Sequence, residues 1–444
     1  MPRSTIIPAL RLLKLGLLAS VAGMAAAQPV AEANLSLKRA LELMRARDPN
    51  LQLAQTAVDQ ALADKITAGE RPNATLSYST SKINPAGHNG SGDFWNKSYD
   101  TVVSLSQPFE RGGKRRHRLA QAEANADAAH ADYADSVRSE RLAVTQAYWE
   151  LKRAEEKYKN AQTLAAIEHR SIEASEQRLR VGDLPRLDVE RMRIDAAAAD
   201  NAADSALGGL RDAQVALAAL VDITAQSGEL STADDWPRTA GTLDPQFAAA
   251  AAAEPAEAVL ARRPDMLAAR KRVDAAEAAL QLAHAQTARD VTVSGQYEHN
   301  PVPPAAPGVG HTLLGIGVSV PIFTGSQYKG EIARANADID AAKANLARVR
   351  VAALADVHRA RADLAAAAQR AHRYDSDLTQ RALAAEKTVE TAYARGGLAL
   401  ADLLDARRSL KATQDDATDA HADFAEALAA LAAAAPEENQ GTSP

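Results

Sequence analysis

The stretch Val103–Arg118 reads VSLSQPFERGGKRRHR, and the fold turns on how it is read. It opens with the alternation of a strand, halts at a proline and two glycines, and runs directly into basic residues that open a helix. A matching corner, VSVPIFTGSQYKG, recurs at Val318–Gly330. Two such corners in one chain predict an internal duplication, and the flanking sequence agrees. RDPNLQLAQTAVDQALA from Arg47 pairs with RRPDMLAARKRVDAAEAAL from Arg262, and RVGDLPRLDV from Arg180 pairs with RGGLALADLL from Arg395, at offsets of 213 to 215 residues. Two copies are too few for a solenoid, so the halves should pair within one unit.

Each half has the same grammar. The first repeat spans 28–223 and the second 255–435, with a polar, turn-rich linker at 224–254. A helix comes first, at 36–69 and 255–288. Two strands follow, at about 73–82 and 99–109, then at about 290–299 and 311–323; Leu314, Ile316, Val318 and Val320 alternate with small residues in the last. The loops between them are polar or rich in Pro and Gly. A very long helix comes next, at 114–180 and 329–395. Ile332, Ile339, Leu346 and Ala353 fall seven apart, with Leu119, Ala126 and Tyr133 at the matching places, which is a coiled-coil seam. Some 65 residues at 1.5 Å each make a rod of roughly 100 Å. Hairpin tips at about 181–187 and 395–400 lead into return helices ending near 221 and 435. The fold class is therefore mainly α with a small β part, a duplicated β-hairpin joined to a long α-helical coiled-coil hairpin.

Composition narrows the class further. Residues 1–27 read as an export signal: Arg3, Arg11 and Lys14 flank the apolar Leu15–Met24, and Ala25–Ala27 offer a cleavage site. Without that segment the net charge moves from −6 to about −9, which argues against a nucleic-acid partner. There are no cysteines, so disulfides, thiolate metal sites and an acylated N-terminal cysteine are excluded. No later segment is apolar enough for a membrane-spanning helix, so any crossing must use a closed β-barrel. Four strands cannot close one, so several chains must share it. Aromatics are only 4% of residues, which suits long helices packed through alanine rather than a wide core. Residues 436–444 read as a disordered tail.

The duplicated plan, the SQPF and SVPIF corners and the tip motifs RVGDLPRLDV and ARGGLALADLLDA resemble the outer-membrane efflux proteins, the TolC-like family. The resemblance covers almost the whole mature chain. It implies a homotrimer with a shared twelve-stranded transmembrane barrel and a periplasmic α-helical barrel. It places the chain in the outer membrane of a Gram-negative bacterium as a passive exit duct. Its partners would be a periplasmic adaptor, an inner-membrane RND pump and outer-membrane lipid. The corner QPFERGGKR is most similar to the cobalt–zinc–cadmium (CzcC-like) branch, with Arg111 where leucine is usual. That implies divalent metal cargo; a duct for drugs or for type I protein secretion shares the general corner. A periplasmic adaptor or coiled-coil scaffold is the alternative of another class, and the four amphipathic strands speak against it.

Several residues stand out. Pro108 and Pro321 should end their strand ladders, since proline has no N–H to donate, and Gly112, Gly113 and Gly325 should give the corners their swerve. Cations at a helix N-terminus oppose its dipole, so Arg115, Arg116 and Arg118 are candidate contacts to anionic lipid headgroups; the competing reading is ion pairing on a solvated face. Asp402 and Asp405 share a helix face, and by the resemblance they would ring the periplasmic entrance; otherwise they pair with Arg407 or Arg408. Gly182, Leu184, Leu187, Gly396, Gly397 and Leu398 are candidate adaptor-docking tips, with Leu184 and Leu398 expected to be exposed. The ten histidines show no i,i+4 pair; His88, His299 and His311 fall near the outer loops, and no metal or cofactor site is expected. No phosphate loop, nucleophile elbow or carboxylate pocket suggests an enzyme.

Overall fold

The computed structural model describes residues 34–87, 89–90, 92–223, 230–238, 255–301, 311–325 and 327–436. The export signal, most of the linker, His88 and the tail beyond residue 436 lie outside them.

In chain order the elements are β1 (Asn34–Leu35), α1 (Leu37–Arg47), α2 (Pro49–Gly69), β2 (Thr75–Ser81), β3 (Asp100–Phe109), α3 (Lys114–Arg180), α4 (Arg186–Leu220) and β4 (Ser231–Thr232). The second half adds α5 (Ala256–Arg262), α6 (Pro264–Ala285), β5 (Val291–His299), β6 (Thr312–Ser319), α7 (Lys329–Arg373), α8 (Thr379–Ala394) and α9 (Leu400–Ala434). Helix α3 is the spine and packs on α2, α4, α6 and α9, while α7 packs on α6 and α9. The contacts are made largely by alanine: Ala124, Ala126, Ala128, Ala353, Ala360, Ala420 and Ala422 are all buried. Small side chains let the long rods approach closely.

Three expected elements differ. The helix expected at 36–69 is two, because Asp48 leaves the helical region (ψ 120°) ahead of Pro49 and its carboxylate caps α2 through the Asn50 and Leu51 N–H groups. Arg263 and Pro264 break the helix expected at 255–288 in the same way. The helix expected at 329–395 passes through a π-helical turn, Tyr374–Leu378, between α7 and α8.

A two-residue parallel ladder, β1 with β4, joins the start of the chain to the segment before the second half. It caps a cluster of Leu35, Met44, Val144, Tyr148, Leu151 and Leu217 at the waist of the helical part. The Tyr148 hydroxyl lies 3.0 Å from the Leu35 carbonyl oxygen and 2.9 Å from the Asp234 carboxylate, and burial pushes its pKa well up. Trp149 stacks on Trp236 at 5.6 Å between centroids. A buried, hydrogen-bonded tyrosine beside paired indoles anchors the helical part at this point.

The remaining strands form one antiparallel sheet in the order β2-β3-β5-β6, so the two hairpins meet at β3 and β5 and both outer edges are open. The last strand stops at Ser319, short of the expected 323, and Pro321 lies beyond it. Pro108 does not end its ladder: it sits inside β3 opposite Thr292.

Candidate functional site

The sheet has two chemically different faces. In register, Leu76, Leu105, Gly295 and Ile316 form one row, and Tyr78, Val103, Tyr297 and Leu314 the next, on the same face. The opposite face carries Ser77, Ser104, Gln296 and Gly315, then Thr75, Ser106, Ser294 and Gly317. Ile316 on the apolar face is 89% exposed, and Leu314 and Val318 flank it in the open. A buried sheet would never present such a face to water, whereas a membrane-spanning sheet presents it to lipid and turns its serines to an aqueous lumen. Aromatic rings mark both ends of the band. Phe94, Trp95 and Tyr99 cluster at the loop end with centroids 5.5 to 5.8 Å apart, and Phe323 meets Tyr328 edge-on at 5.4 Å at the corner end. Among the described residues no helix is long and apolar enough to cross a membrane.

The corners turn differently from each other. Gly112 and Gly113 sit at φ 71° and 75°, and Gly113 is the N-cap of α3. A Cβ on Gly112 would come within 2.4 Å of Ala288 Cβ, so the corner also needs the close approach of two chain segments. Gly325 has an ordinary φ and open space around it, and the left-handed residue before α7 is Tyr328, φ 56°. The second swerve is thus made three residues later than Gly325 suggested, and a non-glycine residue bears its strain.

The basic run is bound into the corner. Lys114 is buried and its Nζ lies 2.8 Å from Asp290. Arg118 pairs with Glu110 at 2.8 Å and donates to the Ala68 and Glu70 carbonyls. Arg115 donates to the Gly69 carbonyl, and Arg116 lies against the His117 ring at 3.4 Å. Carbonyls at the end of α2 thereby receive cations, as a helix C-terminus favours, which accounts for charge that α3 itself disfavours.

At the other end of the rods, both tips close by the same hydrogen-bond pattern. Gly182 at φ 81° and Gly396 at φ 78° end α3 and α8, and Asp183 N and Gly397 N reach back to the Arg178 and Ala392 carbonyls. Leu187 and Leu398 are exposed, but Leu184 is only 9% exposed and corrects the expectation of a free leucine there. Asp402 accepts from the Ala399 N–H at 3.1 Å and so caps α9. Asp405 is 77% exposed in its side chain, 3.4 Å from Arg408, which also reaches Asp195 at 2.5 Å. Arg191 and Asp405, matched by the internal repeat, line one cleft with Ile194, Asp195 and Leu404.

One node was not foreseen. Arg407 is buried among Glu168 (3.2 Å), Ser171 (2.9 Å), Glu390 (3.5 Å) and Glu386 (3.7 Å). Burial pushes the Glu168 carboxyl up, and the Arg407 guanidinium offsets only part of that. The spacing Leu400, Leu404, Arg407 places this arginine on the buried stripe of α9, and that was the available signal.

Two of the loop histidines meet backbone carbonyls: His299 lies 3.1 Å from the Trp95 carbonyl and His311 3.2 Å from that of Asn300. Among the described residues no cluster of His, Cys, Asp or Glu could hold a metal ion.

The sequence matches the family model described as Outer membrane efflux protein over residues 40–221 and 256–436, once for each half. The outer membrane protein VceC of Vibrio cholerae is similar in structure, with a TM-score of 0.72 at 23% identity, covering 90% of this chain and 95% of that one. The CmeC outer membrane channel of Campylobacter jejuni gives 0.72 at 17% identity, covering 90% and 85%. The open-state MtrE outer membrane channel of Neisseria gonorrhoeae gives 0.70 at 21% identity, covering 90% and 88%. No curated protein matches at a significant level.

Proposed function

This chain belongs to the outer membrane efflux protein family, and from that premise we propose that it is a passive exit duct of a tripartite RND-type pump. Three copies would close a twelve-stranded barrel through their β2 and β6 edges, with the serine-rich face inside. The observation that carries this reading is the four-stranded sheet with one apolar face, one polar face and two unpaired edges. An open edge is not tolerated in lipid, so another chain must supply the missing partner.

The helical rods would then cross the periplasm, and the exposed Leu187 and Leu398 at their tips would meet an adaptor. Gly182, Gly396 and Gly397 shape those tips, and the buried Leu184 braces one of them. Exposed Asp405 and the capping Asp402 would stand at the entrance, where carboxylates concentrate cations and repel anions. Divalent metal cations such as cobalt, zinc and cadmium are the proposed cargo. The support is the QPFERGGKR corner together with this acidic entrance. Of the three arginines first considered for lipid, Arg116 has no backbone carbonyl or acid as partner among the described residues, so it is the one left for that role.

A strain lacking the gene tests cargo. Sensitivity to zinc, cobalt or cadmium with raised cell metal, restored by the gene, is expected. Sensitivity to dyes or antibiotics alone would keep the duct and reject metal cargo.

A further inference from the structure

The apolar face of the sheet ends in uncompensated positive charge. Phe109 and Val291 are the last paired residues of β3 and β5, and they fall on the apolar face with Leu105 and Val293. One further step of the same alternation brings Arg111 and Arg289 below them, while Glu110 and Asp290 fall on the other side. The contacts agree with that division. Asp290 accepts from the Arg111 backbone N–H at 2.9 Å and from Lys114 Nζ at 2.8 Å, and Glu110 is taken by Arg118. The two acids next to these arginines in sequence, Glu110 and Asp290, are therefore occupied. The side chains of Arg111 and Arg289 are exposed and have no acidic partner among the described residues. The Arg289 guanidinium lies over the Phe323 ring, 5.8 Å from its centroid, and Phe109 stands open beside Arg111 in sequence.

We infer that Arg111 and Arg289 form a site for an anionic phospholipid of the periplasm-facing leaflet, its phosphate held by the two guanidinium groups and its chains along Phe109 and the apolar face. The inference rests on the barrel reading, which puts this rim at headgroup level. Guanidinium binds phosphate in a planar fork, and aromatic rings mark the depth at which headgroups lie. Each uncompensated arginine near an anionic surface contributes about a fivefold preference, so the pair gives about 25-fold. The site differs from the Arg115–Arg118 run, whose cations are mostly bound within the corner.

The test uses the full chain purified from membranes and native mass spectrometry in micelles holding equal phosphatidylglycerol and phosphatidylethanolamine. Wild type should retain phosphatidylglycerol preferentially, and the preference should fall as salt rises. Arg111→Gln with Arg289→Gln should lower it about 25-fold, while Arg348→Gln, on the exposed side of α7 far from the rim, leaves it unchanged. Equal retention of both lipids by wild type, a preference indifferent to salt, or a preference intact in the double variant would overturn the site. A heat-modifiable oligomer band from the same membranes reports insertion separately. An inserted wild type without preference sinks only this inference, and a wild type that never inserts sinks the barrel reading with it.

Discussion

Arg263 is 2% exposed, and it is held by Asp265 at 2.7 Å, Asp356 at 3.4 Å and the Ala434 carbonyl at 3.3 Å. Burial pushes the Asp265 carboxyl up, but the Arg263 hydrogen bond and charge, with the Met266 N–H, more than offset this and hold it below the usual carboxylate range. A carboxyl depressed in the folded state stabilises the fold above its unfolded pKa and loses that contribution as pH falls through its folded pKa. Asp265→Asn should therefore cost about 3 kcal/mol at neutral pH. The gap from wild type should close below about pH 4, read by hydrogen exchange across α5 and α6. Gly112 offers a second test. Gly112→Ala places a Cβ 2.4 Å from Ala288 Cβ at φ 71°, and should lower stability by about 1–3 kcal/mol. Gly325→Ala enters open space and should be neutral in the same thermal melt of the oligomer. Residue roles were the least legible part of the sequence. Leu184 reads as a surface leucine because the tip shows no core, yet the fold supplies one. Arg407 reads as a surface charge until the stripe of Leu400 and Leu404 is followed one turn further.

Among the elements, the strands make the sharpest prediction. Ile316→Lys puts a charge in the middle of the exposed apolar band, and if that band faces lipid as proposed it should cost about 2–4 kcal/mol of insertion. Ser104→Lys on the opposite face should insert normally, and the heat-modifiable band in isolated membranes separates the two. Alternation made these strands readable, and the seven-residue seam made the long helices readable. The breaks at Asp48 and Arg263 do not show in the pattern, because the apolar periodicity runs through Pro49 and Pro264 and only the residue before proline pays in backbone freedom. The β1–β4 ladder has two residues per strand, too few for any pattern. The seven-residue repeat from Ile332 to Ala353 stops short of the π turn at Tyr374–Leu378, which stands where His421 Nε2 lies 2.6 Å from Asp375.

For the molecule as a whole, the duplication was legible because it repeats corners and tips at a nearly constant offset. How the halves join was not: the β3–β5 pairing depends on contacts some 190 residues apart in sequence, which local periodicity does not encode. The two open edges each leave a row of backbone groups for a partner strand. The chain has no cysteine, so engineered pairs can report edge pairing without background. One cysteine on β6 is scanned against single cysteines along β2, with oxidation in intact outer membranes and denaturing electrophoresis. The account predicts that one register yields a covalent ladder ending at three chains. A ladder ending at two, bonds only within a chain, or no bond at any register would contradict a barrel shared by three copies.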